Sequence, residues 1–228
     1  MSFDSIKLIA FDLDGTLLDS VPDLAEAADK AVQSLGYPSV SLEQVKSYVG
    51  NGADLLIGRS LSQNMQVSPE LSPELLAKAR CLFDEYYAQG EHRLSHLYPH
   101  VKAVLAQLHQ AGFKLALVTN KPSKFVPEVL AKHALDTYFV DVIGGDTFVN
   151  KKPDPEALNW LLDKHDLESS EMLMVGDSKN DILAAKNAGC RSLALTYGYN
   201  HGEPIANSNP DYVADSLRDL LELVSVTA

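Results

Sequence analysis

Five short apolar runs rich in β-branched residues recur along the chain, and the rhythm they set constrains the fold more than any other feature. IKLIAF (6–11), FKLALVT (113–119), FVDVIG (139–144), EMLMVG (171–176) and RSLALT (191–196) have the length and character of buried strands. VKAVLAQLHQAG, FVPEVLAKHA, PEALNWLLDKH and NDILAAKNAG carry the helical period between them. Strands without polar alternation are buried on both faces, so the expected fold is α/β: a doubly wound, Rossmann-like parallel sheet with helices on each side. Trp160, in LNWLLDKH, falls on an apolar helical stripe and is expected in the core. Ala184 and Ala185 are expected to allow close helix packing.

The rhythm breaks between residues 20 and 97, where only helical patterns occur: DLAEAADKAVQSLG, LEQVKSYVG, ADLLIGRSL and PELLAKARCLFDEYYAQG. The expected organisation is a core of 1–18 and 97–228 with an all-helical insert, 19–96, placed after the first strand. Ser20 is positioned to cap the insert's first helix, Pro22 sits in its first turn and Asp23 suits its positive end. In LYPH, Pro99 suits the first turn of a core helix. His92, His96 and His100 are spaced by four, but Pro99 argues against one continuous helix and so against a shared metal-binding face; a hinge is the better reading. Tyr86 and Tyr87 are expected to pack in the insert or edge it.

In an open parallel sheet, ligands bind beyond the carboxyl ends of the strands. Asp12 and Asp14 follow the first run, Thr119 and Asn120 the second, Lys151 and Lys152 come beyond the third, and Asp177, Ser178 and Asp181 follow the fourth. Any one of these has a plain structural reading: DLDGT as a strand and an Asp/Gly turn, GDSKND as a helix cap, KKP as a solvated loop. Together they gather carboxylates, a hydroxyl and an ammonium at one edge. Carboxylates of Asp12, Asp14 and Asp177 are the hard oxygen ligands that Mg2+ prefers, completed by water and a phosphate. A lysine there would offset charge on a phosphoryl group, and a threonine hydroxyl would hold its oxygens. Residues i and i+2 of extended backbone point the same way, so one aspartate can attack phosphorus while the other handles the proton. Gly15 lets the chain turn away directly afterwards.

Composition narrows the partners. With 31 acidic against 19 basic residues the formal net charge is -12, which disfavours nucleic acid and anionic membrane surfaces. An anionic substrate would then need a local cation. No apolar stretch reaches the roughly 18 to 20 residues of a membrane span, and MSFDSIKL lacks the pattern of a signal peptide. Cys81 and Cys190 form no paired motif, so a reducing, cytoplasmic setting is expected.

FDLDGTLLDS, VGNGADLLI, LALVTNKP, GGDTFVNKKPDP, VGDSKNDILAAKNAG and YGYNHGEPI together resemble the haloacid dehalogenase superfamily of phosphohydrolases, and within it the bacterial phosphoglycolate phosphatases. The resemblance spans nearly the whole chain. It implies Asp12 as nucleophile, Asp14 as general acid and base, and Thr119, Asn120 and Lys152 on the phosphoryl group. Mg2+ would be held by Asp12, the main-chain carbonyl of Asp14 and Asp177, with Asp181 supporting through water. The insert would be a cap closing over the site, with Asn51 and Gly52 in a loop near the substrate. The implied reaction is hydrolysis of a small phosphorylated metabolite, 2-phosphoglycolate foremost. A sugar phosphomutase on the same scaffold, a metal-independent dehalogenase and a non-catalytic binding protein are the alternatives.

Overall fold

The computed structural model describes residues 3–226. The chain begins with β1 (Leu8–Phe11) and β2 (Leu18–Asp19), then four helices, α1 (Val21–Ser34), α2 (Leu42–Tyr48), α3 (Ala53–Ser62) and α4 (Pro73–Gln89). It continues through β3 (His96–Leu97), α5 (Val101–Gln110), β4 (Lys114–Val118), α6 (Val126–Lys132), β5 (Asp141–Ile143) and α7 (Glu156–His165). The last elements are β6 (Met172–Gly176), α8 (Lys179–Ala188), β7 (Arg191–Leu195), β8 (Tyr212–Ala214) and α9 (Asp219–Leu223).

Six strands form one parallel sheet in the order β5-β4-β1-β6-β7-β8. β1 lies in its interior, and its four side chains are fully buried. They divide by the two-residue period of a strand: Ile9 and Phe11 enter the core under α5, α6 and α9, and Leu8 and Ala10 the core under α7 and α8. Each such Leu, Ile or Phe contributes about 1.5–3 kcal/mol by leaving water. Ala184 and Ala185 of α8 are fully buried against that second face, where larger side chains would hold the helix away.

The polypeptide leaves and rejoins this core through a short antiparallel ribbon, with Leu18 opposite Leu97 and Asp19 opposite His96. Between its two strands α1–α4 enclose their own apolar core, including Ala28 and Ala31 of α1, Val45 of α2, Ile57 of α3 and Phe83 of α4. Phe125 and Tyr199, from the loops after β4 and β7, join that core, so it is continuous with the strand-end loops. Among the described residues no helix is long and apolar enough to cross a membrane. Both cysteines are free.

Some local expectations are corrected. Ser20 precedes α1 but its backbone is helical (φ -102, ψ -8) rather than extended, so its hydroxyl does not reach the first-turn amides and is buried without a hydrogen-bond partner. Trp160 is 38% exposed: it sits one residue, about 100° around the helix, from buried Leu161, and leans on Phe148 with Lys164 over its ring. Pro99 lies before α5, which starts at Val101. The three histidines share no helix, since His92 is buried beyond α4, His96 belongs to β3 and His100 precedes α5 with φ 69. β8 and the β2–β3 ribbon carry no clear sequence signal because two or three residues are too few to show a period.

Candidate active site

The carboxyl ends of β1, β4 and β6 meet below α1–α4. Asp12 extends β1 by one residue, donating its amide to the carbonyl of Val175 at 3.0 Å, and the parallel register thereby sets it beside Asp177 at the end of β6. Asp181 arrives from the first turn of α8, where its carboxylate reaches back to accept the Ser178 amide at 3.0 Å and hydroxyl at 2.8 Å. Oxygens of Asp12, Asp177 and Asp181 lie within 4.8 Å of one another, all three residues buried. Two glycines make room for this grouping: a Cβ on Gly15 or Gly198 would come within 2.2 Å of the Asp177 carboxylate. At Gly15 the backbone is also at φ +94, a region that side chains avoid.

One ammonium faces the three carboxylates. Lys152 Nζ lies 2.9 Å from Asp12 and donates to Asp181 and to the carbonyl of Val118, each at 2.6 Å, so all three of its protons are engaged. Lys151, its neighbour, is exposed. Burial pushes the Asp12 carboxyl up to about 7, with Lys152 opposing the shift and Asp181 adding to it. Burial, then Asp12 and Asp181, also raises Asp177 well above the usual carboxylate range, against hydrogen bonds from the Thr16 hydroxyl at 2.6 Å and the Tyr199 amide at 2.5 Å. Burial disfavours the Lys152 charge, yet Asp12 and Asp181 overturn that and raise it. Three buried carboxylates against one ammonium are short of positive charge, which a hard divalent cation would supply; the donor set fits Mg2+.

Asp14 points elsewhere. Its carboxylate pairs with the ammonium of Lys121, at 3.1 and 3.3 Å, and Lys121 in turn lies over the ring of Tyr87 from α4, 4.7 Å from its centroid. Burial disfavours the Lys121 charge, but Asp14 and Tyr87 raise it above the ordinary lysine range. Burial pushes the Tyr87 hydroxyl up to about 12. The two aspartates of DLDGT thus serve one cavity with different partners.

That cavity, about 40 Å³, lies between the strand ends and the helical insert, bounded below by Asp12, Asp14, Thr119, Lys121, Lys152 and Asp181. Its upper wall is apolar, formed by Leu24, Val49, Leu56 and Phe83, with Tyr87 at its edge. Thr119, placed by its amide bond to the carbonyl of Ile143 at 2.9 Å, presents a hydroxyl that accepts the Lys121 amide at 3.1 Å and keeps its own proton to donate.

Among the residues expected in the site, Asp12, Asp14, Thr119, Asn120, Lys152 and Asp181 line the cavity, and Asp177 adjoins it through the carboxylate cluster. Asp181, expected one water away from a metal, sits as close to the cluster as the other two carboxylates. Asn120 spends its side-chain amide on the carbonyls of Gly50, at 3.0 Å, and Lys152, at 2.9 Å. Gly52 lines the cavity, whereas the side chain of Asn51 turns to Arg59 at 3.0 Å. Lys121, Asn180 and His201 were missed. Lys121 directly follows Thr119 and Asn120 in LALVTNKP, so its position was a usable signal. Asn180 donates to Gly50 O at 3.0 Å and the His201 ring bonds Ser47 O at 2.7 Å, contacts across the insert that no spacing reveals.

A parallel sheet with a helical insert after its first strand and aspartates at its strand ends is an arrangement that one family of hydrolases matches. The family model for haloacid dehalogenase-like hydrolases matches residues 9–195, and the chain belongs to that family. A phosphoglycolate phosphatase of Vibrio parahaemolyticus is 72% identical over the whole of both chains. Another, of Yersinia pestis, is 47% identical over 99% of this chain and 96% of its own. The crystal structure of a predicted phosphoglycolate phosphatase from Haemophilus somnus has a TM-score of 0.91 at 40% identity, covering 96% of this chain and 98% of that one.

Proposed function

We propose that the chain is a Mg2+-dependent phosphatase that hydrolyses 2-phosphoglycolate to glycolate and phosphate through an aspartyl phosphate on Asp12. The observation that carries this reading is the pairing of Asp12 with Lys152 and two further carboxylates on one side of a small cavity while Asp14 stands free of that cluster on the other. Mg2+ bound by Asp12, Asp177 and Asp181 together with the main-chain carbonyl of Asp14 would draw charge from the phosphoryl oxygens.

A carboxylate oxygen of Asp12 attacks phosphorus as the bond to the ester oxygen breaks. Asp14, entering this step protonated, gives that proton to the departing alkoxide and is left as the carboxylate that pairs with Lys121. The Thr119 hydroxyl donates to an equatorial oxygen, and the Lys152 ammonium, held beside Asp12, offsets by its charge what builds there. Asp14 then takes a proton from water, whose oxygen attacks phosphorus and releases the Asp12 carboxylate with phosphate. Asn120, in this reading, acts as a clasp as much as a ligand: its amide ties the Gly50 loop of the insert to the Lys152 loop.

The insert, residues 19–96, acts as a cap that excludes water during these steps, turning on the β2–β3 ribbon. Its apolar wall argues against a sugar phosphate, whose hydroxyls would lose water without gaining partners. The relatives named phosphoglycolate phosphatase support the substrate. The test is phosphate release from 2-phosphoglycolate, β-glucose 1-phosphate and an aryl phosphate, with Mg2+ and with chelator. Chelator-sensitive preference for 2-phosphoglycolate is expected; isomerised sugar phosphate without free phosphate, or turnover that survives the chelator, overturns the reading.

A further inference from the structure

We infer that Lys121 is the residue that selects the substrate's carboxylate, and so distinguishes a phosphorylated hydroxy acid from an uncharged alkyl phosphate. The inference rests on the phosphatase reading above and deepens it.

A substrate that carries a second anion beside its phosphate needs a second cation in the cavity. Two ammonium groups line it. Lys152 has all three protons committed, to Asp12, Asp181 and the carbonyl of Val118, on the side where a phosphoryl group would sit. Lys121 is different: its one charged partner is the carboxylate of Asp14, and its other neighbour is Tyr87, whose ring it faces and whose hydroxyl helps hold its charge. It is 5% exposed, so no water shell competes for the charge. The helices above contribute apolar side chains and no cation to the cavity wall. Lys151, the remaining lysine nearby, is exposed and does not line the cavity, although its ammonium would come within 3.1 Å of a Cβ on Gly52.

Position agrees with charge. Asp14 must stand at the ester oxygen to protonate it, and in 2-phosphoglycolate the carboxylate carbon is two bonds from that oxygen. A cation 3.1 Å from an Asp14 oxygen is therefore within reach of the substrate's carboxylate whenever Asp14 is within reach of the leaving group. The Tyr87 hydroxyl, buried beside Lys121 and with no acceptor for its own proton among the described residues, lies on the same wall as a neutral donor. Ethyl phosphate, with a methyl group where the carboxylate would be, leaves Lys121 with Asp14 alone and gains nothing from it.

The experiment compares kcat/KM for 2-phosphoglycolate and for ethyl phosphate in wild type, K121M and K121R, with folding checked by circular dichroism. Because both substrates share Asp12, Asp14 and the metal, any general damage from leaving Asp14 without its partner cancels in the ratio. Wild type is expected to prefer 2-phosphoglycolate, K121M to lose about 100-fold or more of that preference, and K121R, which keeps a cation, to recover part of it. Equal losses on both substrates in K121M would give Lys121 a merely structural role and overturn the assignment while leaving the phosphatase reading intact. A wild-type enzyme that turns over ethyl phosphate as well as 2-phosphoglycolate would overturn the proposed substrate and this assignment together. Should K121M fail to fold, K121Q is read the same way.

Discussion

Replacing Lys152 with methionine keeps the length of the side chain and removes the ammonium that three acceptors share. Lys152 is 4% exposed, and its Nζ lies 2.9 Å from Asp12 and 2.6 Å from both Asp181 and the carbonyl of Val118. Removing one partner of a buried ion pair costs about 3–5 kcal/mol, because the other charge stays buried without compensation. For a domain of this size about 2–4 °C accompanies each kcal/mol, so the melting temperature in chelator should fall by about 6–20 °C. The loss should be greatest at alkaline pH and shrink as pH falls, since burial already puts the Asp12 carboxyl at about 7 with Lys152 lowering it, the variant lifts it further, and protonation relieves the unpaired charge. Saturating Mg2+ should restore part of the stability, because a dication among Asp12, Asp177 and Asp181 replaces the missing positive charge. Thermal unfolding followed by circular dichroism, with chelator and with Mg2+, reads all three effects. A fall of less than about 2 °C in chelator, even at alkaline pH, would refute the view that this ammonium holds the carboxylates together.

Asp12→Asn should leave the fold intact and reduce turnover by about a thousandfold or more, because the amide is nearly isosteric but a poor nucleophile; steady-state phosphate release checks it, and near-normal turnover would remove Asp12 from the nucleophile role. Gly15→Ala should weaken Mg2+ binding and destabilise the protein together, since its Cβ would stand 2.2 Å from an Asp177 oxygen at φ +94; calorimetric Mg2+ titration that matches wild type would contradict the crowding. Mg2+ affinity should itself depend on pH. The folded, metal-free Asp12 carboxyl holds its proton up to about 7, whereas the ordinary value is 3.8, so between these limits the folded state binds more protons than the unfolded one. The sign follows: metal-free stability from this group falls as pH rises through that window, and Mg2+, which displaces the proton, binds more tightly as pH rises through it, with Asp177, also raised, adding to the trend. Affinity unchanged between about pH 5.5 and about pH 8 would show that Asp12 gives up no proton to the metal.

Much of this was legible in local pattern. The runs 6–11, 113–119, 139–144, 171–176 and 191–196 contain β1, β4, β5, β6 and β7, and the helical stretches of the insert overlap α1–α4. Once a run is a buried parallel strand, the residues after it are committed to one edge of the sheet, which is why Asp12, Thr119 and Asp177 could be assigned together. A choice between neighbours was harder. Lys151 and Lys152 differ by one residue, and only the path of the loop after β5 buries one at the carboxylates and exposes the other.

Chain order, strand and helix periodicity and the apolar runs by themselves determined the parallel core, the helical insert and the edge that carries Asp12, Asp14, Thr119 and Asp177, because those depend on contacts a few residues long and on the direction of parallel strands. Tertiary structure alone decided which charges meet. Asp181 joins Asp12 and Asp177, Lys121 takes Asp14 under Tyr87, and Asn120 and Asn180 both grip the carbonyl of Gly50. Those pairings join residues distant in sequence, and electrostatic and hydrogen-bond energies depend on separations of a few ångströms that only the packed fold defines.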